Sequence, residues 1–216
     1  MGRKVLVFAP HPDDETLACG GAIAVKTACG ENVRMVFLTD GRNSHLHALG
    51  IPADPSPGEL AAIRKEEAVR AAHILGVGPE SLSFLGIEDG TLERDTQTPA
   101  ARIAELILDF GPDEVYYPDR LDRHRDHRAA FFTVEAALEM AGRCPRRFRY
   151  VIWHRGTEHV PGPDVRVEIS GTAEVKKKAL QEYRSQVGLI SPAQTRPVLT
   201  DAFLARFRGR YEEFYA

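Results

Sequence analysis

The chain has 216 residues, 43% hydrophobic and 27% charged, with a formal net charge of −3. That length suits one α/β-sized domain, and the composition is that of a globular protein. The mild negative balance excludes a general attraction to nucleic acid or an anionic membrane, and no apolar run is long enough to span a bilayer.

The apolar start at residues 5–8 resembles a secretion signal, but Pro10, His11, Asp13, Asp14 and Glu15 interrupt it after four residues. A signal peptide is therefore rejected and a cytoplasmic location expected. Cys19, Cys29 and Cys144 form no CxxC or paired pattern and read as reduced, buried thiols.

In chain order, KVLVF at 4–8 reads as a buried strand, followed by a helix of small residues over 16–29. VRMVFL at 33–38 is a second strand, and 59–75 a helix with Gly76 at its C′ position. A short strand over 81–85 precedes a helix over 100–110, a strand over 114–117 and a helix over 128–141. Strands are expected at 150–153 and 165–169, and helices at 173–187 and 201–214. The alternation predicts a single Rossmann-like, doubly wound domain over 1–216, its mostly parallel sheet covered by helices on both faces. Residues 41–58 lack periodicity and read as an active-site loop, with 188–216 as a C-terminal extension.

In such a sheet, strand one usually lies beside strand four where the winding reverses, and ligands bind beyond their carboxyl ends. Both strands lead into clusters of histidine and carboxylate: His11-Pro12-Asp13-Asp14-Glu15 and Asp119-Arg120-Leu121-Asp122-Arg123-His124-Arg125-Asp126-His127. Alone, each cluster is a plausible helix N-terminus, with Asp13, Asp14 or Asp126 as cap. Together at a switch point, two histidines and a carboxylate suit a divalent metal with a position left for water. Spacing alone leaves open which of Asp13 and Asp14 would be the ligand.

His11-Pro12-Asp13-Asp14-Glu15 resembles the HPDDE signature of the PIG-L/LmbE-like deacetylases, and His124-Arg125-Asp126-His127 their HxDH motif. Weaker echoes lie at 39–41, 64–68, 85–90 and 178–186, so the resemblance spans residues 4–186. It implies zinc, or ferrous iron in cells, on His11, Asp14 and His127. It further implies Asp13 as general base, His124 as transition-state stabiliser, and Arg64 and Asp89 as substrate-binding residues. The implied substrate is a small N-acetylated sugar or glycoconjugate, losing acetate by amide hydrolysis. Arg125 departs from the proline usual in HxDH and adds positive charge near the site.

The roles make chemical sense. A metal polarises the amide carbonyl and lowers the pKa of bound water to about 7; a free Asp13 can take the water's proton and return it to the departing amine. A protonated His124 would stabilise the oxyanion, and Asp126 would hold a histidine in place. Asn43, with His45 and His47, sits in the 41–58 loop and is a candidate substrate contact. His73, His154 and His159 read as structural. The apolar stripe through Phe203, Leu204, Phe207, Tyr211 and Phe214 reads as a packing helix, with assembly of identical chains left open.

Three rival readings were weighed. A nucleotide-binding module would need GxGxxG or GxxxxGK[ST] in the first loop, and Gly20-Gly21 satisfies neither. A non-haem iron oxygenase shares the two-histidine, one-carboxylate set, but the βαβ pattern and the additional Asp13 argue against it. A catalytically silent, metal-dependent sugar-binding protein would differ from the enzyme in turnover alone.

Overall fold

A computed structural model describes residues 2–154 and 162–216. The expected structural role of His159 falls outside the described residues.

The elements are β1 (Lys4–Ala9), α1 (Asp14–Ala28), β2 (Asn32–Thr39), α2 (Ser44–Leu49), α3 (Pro57–Ile74), β3 (Leu82–Ile87), α4 (Gln97–Phe110) and β4 (Glu114–Pro118). They continue with α5 (Arg125–Met140), β5 (Arg146–Tyr150), β6 (Val165–Glu168), α6 (Ala173–Glu182), α7 (Arg184–Val187), α8 (Asp201–Leu204) and β7 (Tyr211–Phe214). The main sheet has the order β3-β2-β1-β4-β5, and all its pairings are parallel. Strand one thus lies beside strand four, as the α/β alternation predicts.

Apolar residues fill both faces of β1. Val5, Val7 and Ala9 belong to one core layer with α1, α3 and α6; Leu6 and Phe8 belong to the other, with α4 and α5. Burial on both faces explains why β1 is a continuous apolar run rather than an alternating one. The small residues of α1 allow close approach: a Cβ on Gly21 would come within 2.6 Å of Ile169.

Three elements differ from expectation. The C-terminal helix over 201–214 is instead the short α8, a 3₁₀ turn and strand β7. In β7 the period of two prevails: Glu212 and Phe214 are buried while Tyr211 and Glu213 are exposed. The Glu212 carboxylate accepts the Gly21 and Ala22 backbone N–H groups, both at 2.8 Å, and pairs with Lys176 at 2.7 Å. These non-local bonds dock β7 on α1. The expected sixth strand exists, but as β6 it pairs antiparallel with β7 in a separate two-stranded sheet. The fifth strand starts at Arg146, before the expected 150, because its arginines face outward and hide the alternation of Phe148 and Tyr150.

The 41–58 segment is not wholly irregular, since it contains α2 and leads into α3. Six residues are too few to display helical periodicity. Buried His45 anchors α2 through its Nε2, 2.9 Å from the Ser185 carbonyl. Ser56 and Glu59 then form a capping box at the start of α3. The cysteines are free, but only Cys19 is buried; Cys29 and Cys144 are exposed. No helix among the described residues is long and apolar enough to cross a membrane.

Candidate active site

β1 ends at Ala9, and the chain turns through His11 to Asp13 before α1 begins. Asp13 has φ 133°, a conformation that non-glycine residues adopt only when their surroundings impose it. The imposing groups are visible. The Asp13 N–H donates to Glu15 Oε2 at 3.1 Å, and Glu15 accepts the Tyr183 hydroxyl and the Thr16 hydroxyl, each at 2.5 Å. Asp13 occupies the N-cap position of α1 but its side chain forms no capping hydrogen bond. Helix capping therefore does not account for it. Its Oδ2 instead pairs with buried Arg64 at 3.0 Å.

Asp14 opens α1 and meets both histidines. Its Oδ2 accepts the His11 backbone N–H at 2.9 Å, and lies 3.0 Å from His11 Nδ1 and 3.2 Å from His127 Nε2. The rings of His11 and His127 are 5.4 Å apart. His127 is 0% exposed, and its Nε2 makes no hydrogen bond, even to the nearby Asp14. An orphaned buried nitrogen is costly unless something else engages it, as a metal replacing its proton would. Bonds of 2.0–2.1 Å in a tetrahedral site place donor atoms about 3.3 Å apart, close to the two separations around Asp14 Oδ2. These two separations suit a shared divalent ion.

The remaining nitrogens of these imidazoles face carboxylates. His127 Nδ1 lies 3.0 Å from Asp122 Oδ2, and His11 Nε2 lies 3.2 Å from Asp89 Oδ1 and 3.3 Å from Asp126 Oδ2. Carboxylates behind ligating histidines fix ring orientation and tautomer. Two other triplets, His11–His124–His127 and His11–Asp89–Asp126, also bring candidate donor atoms within 4.8 Å of one another. Their donor atoms have other partners as well. Asp126 Oδ2 already accepts the Gly90 N–H at 2.7 Å, Asp89 Oδ2 accepts the Asn43 N–H at 3.1 Å, and His124 Nδ1 accepts the Asp126 N–H at 3.3 Å. That last bond also makes His124, and not Asp126, the N-cap of α5.

Comparison with known proteins bears on this geometry. Residues 6–138 match the family described as PIG-L, GlcNAc-PI de-N-acetylase. A probable N-acetyl-alpha-D-glucosaminyl L-malate deacetylase 2 from Bacillus cereus is 34% identical over 194 residues, covering 86% of this chain and 84% of the relative. Diacetylchitobiose deacetylase from Thermococcus kodakarensis is 33% identical, covering 85% of this chain and 70% of that protein. The crystal structure of the conserved protein TT1542 from Thermus thermophilus superposes with TM-score 0.72 at 30% identity, covering 98% and 93% of the two chains. This chain belongs to the PIG-L family.

The two motifs that mark a PIG-L sequence here thus converge at one cavity of about 240 Å³. Its polar side carries His11, Asp13, Asp14, Arg64, Asp89 and His124; Leu17, Trp153, Val198 and Leu199 make the apolar side. Asn43 is absent from this lining. It holds Asp89 instead, through its backbone N–H and through Nδ2, which donates to the Asp89 carbonyl at 2.9 Å. His47 reaches the cavity, whereas His45 is committed to Ser185.

The charges are strongly coupled. Burial disfavours a charged His127, but Asp122 and Asp14 outweigh it and push its pKa up to about 10. Burial would raise Asp14; the charge of nearby His127 and the hydrogen bonds and charge of His11 prevail and hold it well below the usual carboxylate range. Burial, reinforced by Asp14 and opposed by Arg64, pushes Asp13 up to about 8. Burial and the neighbouring His11 and His127 push His124 down to about 4. In the metal-free chain these pushes favour a neutral His124 over the imidazolium. Because its Nδ1 accepts the Asp126 N–H, the proton sits on Nε2.

Sequence reasoning gave no role to Asp122. It is 0% exposed, and its Oδ2 accepts the Ile152 and Trp153 N–H groups at 2.8 and 3.1 Å besides facing His127. Its position two residues before His124 was the only available signal. Its partners beyond β5 could not be read without the fold.

Proposed function

We propose that this chain is a metal-dependent N-deacetylase, releasing acetate from the amino group of an N-acetylated amino sugar. The reading is carried by one observation: His11, Asp14 and the orphaned Nε2 of His127 converge beside Asp13 in a single cavity. The names of the relatives, an N-acetylglucosaminyl malate deacetylase and a diacetylchitobiose deacetylase, support the substrate class.

His11, Asp14 and His127 would hold the ion, and zinc suits two imidazoles and one carboxylate. Bound there, zinc polarises the amide carbonyl and brings the pKa of a coordinated water to about 7.

Asp13 is the proton carrier. Its raised pKa makes the ionised Asp13 a stronger base than an ordinary carboxylate, able to take a proton from water and hand it to the leaving amine. Arg64 fixes the carboxylate against the Pro12–Asp13 backbone, since its Nη2 also donates to the Pro12 carbonyl. Neutral His124 presents its Nε2–H to the oxyanion of the tetrahedral adduct, as a fixed donor would in an oxyanion hole. Asp89 and Arg64 line the cavity and can reach a sugar hydroxyl; Asn43 contributes by holding Asp89. The apolar wall of Leu17, Val198, Leu199 and Trp153 excludes water and offers the indole as a face for the ring.

The test is acetate release from a panel of N-acetylated hexosamines and disaccharides by the metal-loaded chain, before and after chelation. Turnover abolished by chelator and restored by zinc is the expected result. Chelator-insensitive turnover would overturn the metal role. Sugar binding without acetate release would favour the silent binding protein, and oxygen consumption with a keto-acid cosubstrate the oxygenase.

A further inference from the structure

The segment that matches the family model ends at residue 138. Well beyond it, the turn joining α6 to α7 reaches the Asp13–Arg64 pair from two directions. Tyr183, buried in this turn, donates its hydroxyl to Glu15 Oε1 at 2.5 Å, and Glu15 Oε2 accepts the Asp13 N–H at 3.1 Å. Ser185 donates its hydroxyl to Glu67 Oε2 at 2.6 Å and its backbone N–H to Glu67 Oε1 at 2.8 Å. Glu67 lies on α3 almost one helical turn after Arg64, whose guanidinium meets Asp13 Oδ2 at 3.0 Å.

The proposed reaction makes no direct use of Tyr183, Ser185, Glu15 or Glu67, and none of them lines the cavity. Yet all four are buried. Among the described residues, every hydrogen bond that the two carboxylates accept comes from a neutral group. Burying a carboxylate without a cation on it is costly, so such a group calls for a reason. Asp13 supplies one. Its backbone, at φ 133°, keeps that conformation only while its surroundings hold it. Glu15 holds its N–H and Arg64 its side chain, and the α6–α7 turn supports both of these holds.

We propose that Tyr183 and Ser185 are positioning residues for amide hydrolysis: through Glu15 and Glu67 they set the Asp13–Arg64 pair where proton transfer requires it. The inference rests on the deacetylase reading above. Neither residue touches substrate or metal. A shift of about 1 Å at a reacting group can cost roughly 10²-fold in rate. Loss of either support therefore reads as a fall in kcat, with substrate binding and metal retained.

The experiment compares the zinc-loaded chain with Tyr183→Phe and Ser185→Ala, measuring acetate release from an N-acetylated hexosamine, zinc content and melting temperature. For Tyr183→Phe, kcat is expected to fall about tenfold, and for Ser185→Ala severalfold, with KM within about twofold and zinc unchanged. Glu15→Gln, which keeps an oxygen for the Asp13 N–H, loses less than Glu15→Ala. Ile103→Val, in the core layer on the other face of the sheet, is the control for stability: it lowers the melting temperature and leaves kcat alone. Parent-like kcat in both variants overturns the assignment. So does a loss no larger than that of Ile103→Val at an equal drop in melting temperature, or a loss confined to KM.

Crystal structures of the zinc-loaded variants keep the two readings separable. In Tyr183→Phe, Asp13 is expected to leave φ 133° and to lengthen its 3.0 Å contact with Arg64. Asp13 unmoved in both variants overturns the support, whatever the chain turns over. A displaced Asp13, with no acetate released by the parent chain from any N-acetylated sugar, sinks the deacetylase reading and retains the support. If Tyr183→Phe does not fold, Ser185→Ala, which removes one of two bonds to Glu67, carries the same readouts.

Discussion

The inner cluster and the more open groove outside it, lined by His47, Arg123, His124, Arg125 and Trp153, are built on opposite terms. Around His11, Asp14 and His127 the carboxylates are buried and partnered, and both imidazoles are braced from behind by an acid. Around the groove mouth, Arg123 and Arg125 are exposed and make few bonds. Desolvated, fully partnered groups resist change, because removing one strands the others. Exposed groups adjust to a different partner at small cost. The inner region thus suits a fixed reaction, and the outer region is where substrate preference can vary.

The contrast can be broken most directly at the metal ligands. His127→Ala and Asp14→Ala should abolish metal retention, read by elemental analysis, and reduce turnover to background. Full turnover in either variant would dissolve the distinction between the two regions. Next in size, Asp13→Asn should retain metal while kcat falls about 10²–10⁴-fold, the range for loss of a general acid–base.

Asp122→Ala tests the outer bracing alone. Metal affinity should weaken about 10–100-fold, measured by competition with a chelating dye. Thermal stability should also fall, because the Ile152 and Trp153 N–H groups lose their acceptor.

A pH series sharpens the electrostatic side of the comparison. In the metal-free chain Asp122 and Asp14 push the pKa of His127 up to about 10 and so favour its protonated form. Metal must displace that proton, so apparent affinity should rise with pH, by about tenfold per unit for each proton released. A flat profile between pH 6 and 8 would show that His127 is already neutral before metal binds. The smallest effect is expected at the rim: His47→Ala should raise KM about threefold with kcat nearly unchanged, the pattern of lost uniform binding.

Much of this was open to local reading. The β1 run, the small-residue α1, Gly76 beyond α3 and the two histidine–carboxylate clusters are short-range patterns, and the switch-point rule was enough to expect the clusters to meet. Other features lay out of reach because their causes are distant in sequence. Glu212 is held by α1 backbone groups some 190 residues away, a bond that no pattern in YEEF announces. Asp122 takes its meaning from N–H groups beyond β5, and Arg64 from its approach to Asp13 across α3 and α1.

The residue types and order by themselves determined the α/β alternation, the apolar core and the chemistry available at the ends of β1 and β4. Only the tertiary structure decided which atoms face which. It left His127 Nε2 without a hydrogen bond, lowered the pKa of His124, turned the C-terminal stripe into a strand and set two arginines at the mouth of an acidic cavity. The physical reason is that ionisation and hydrogen bonding depend on burial and on neighbours a few ångströms away, and folding brings those neighbours from anywhere in the chain.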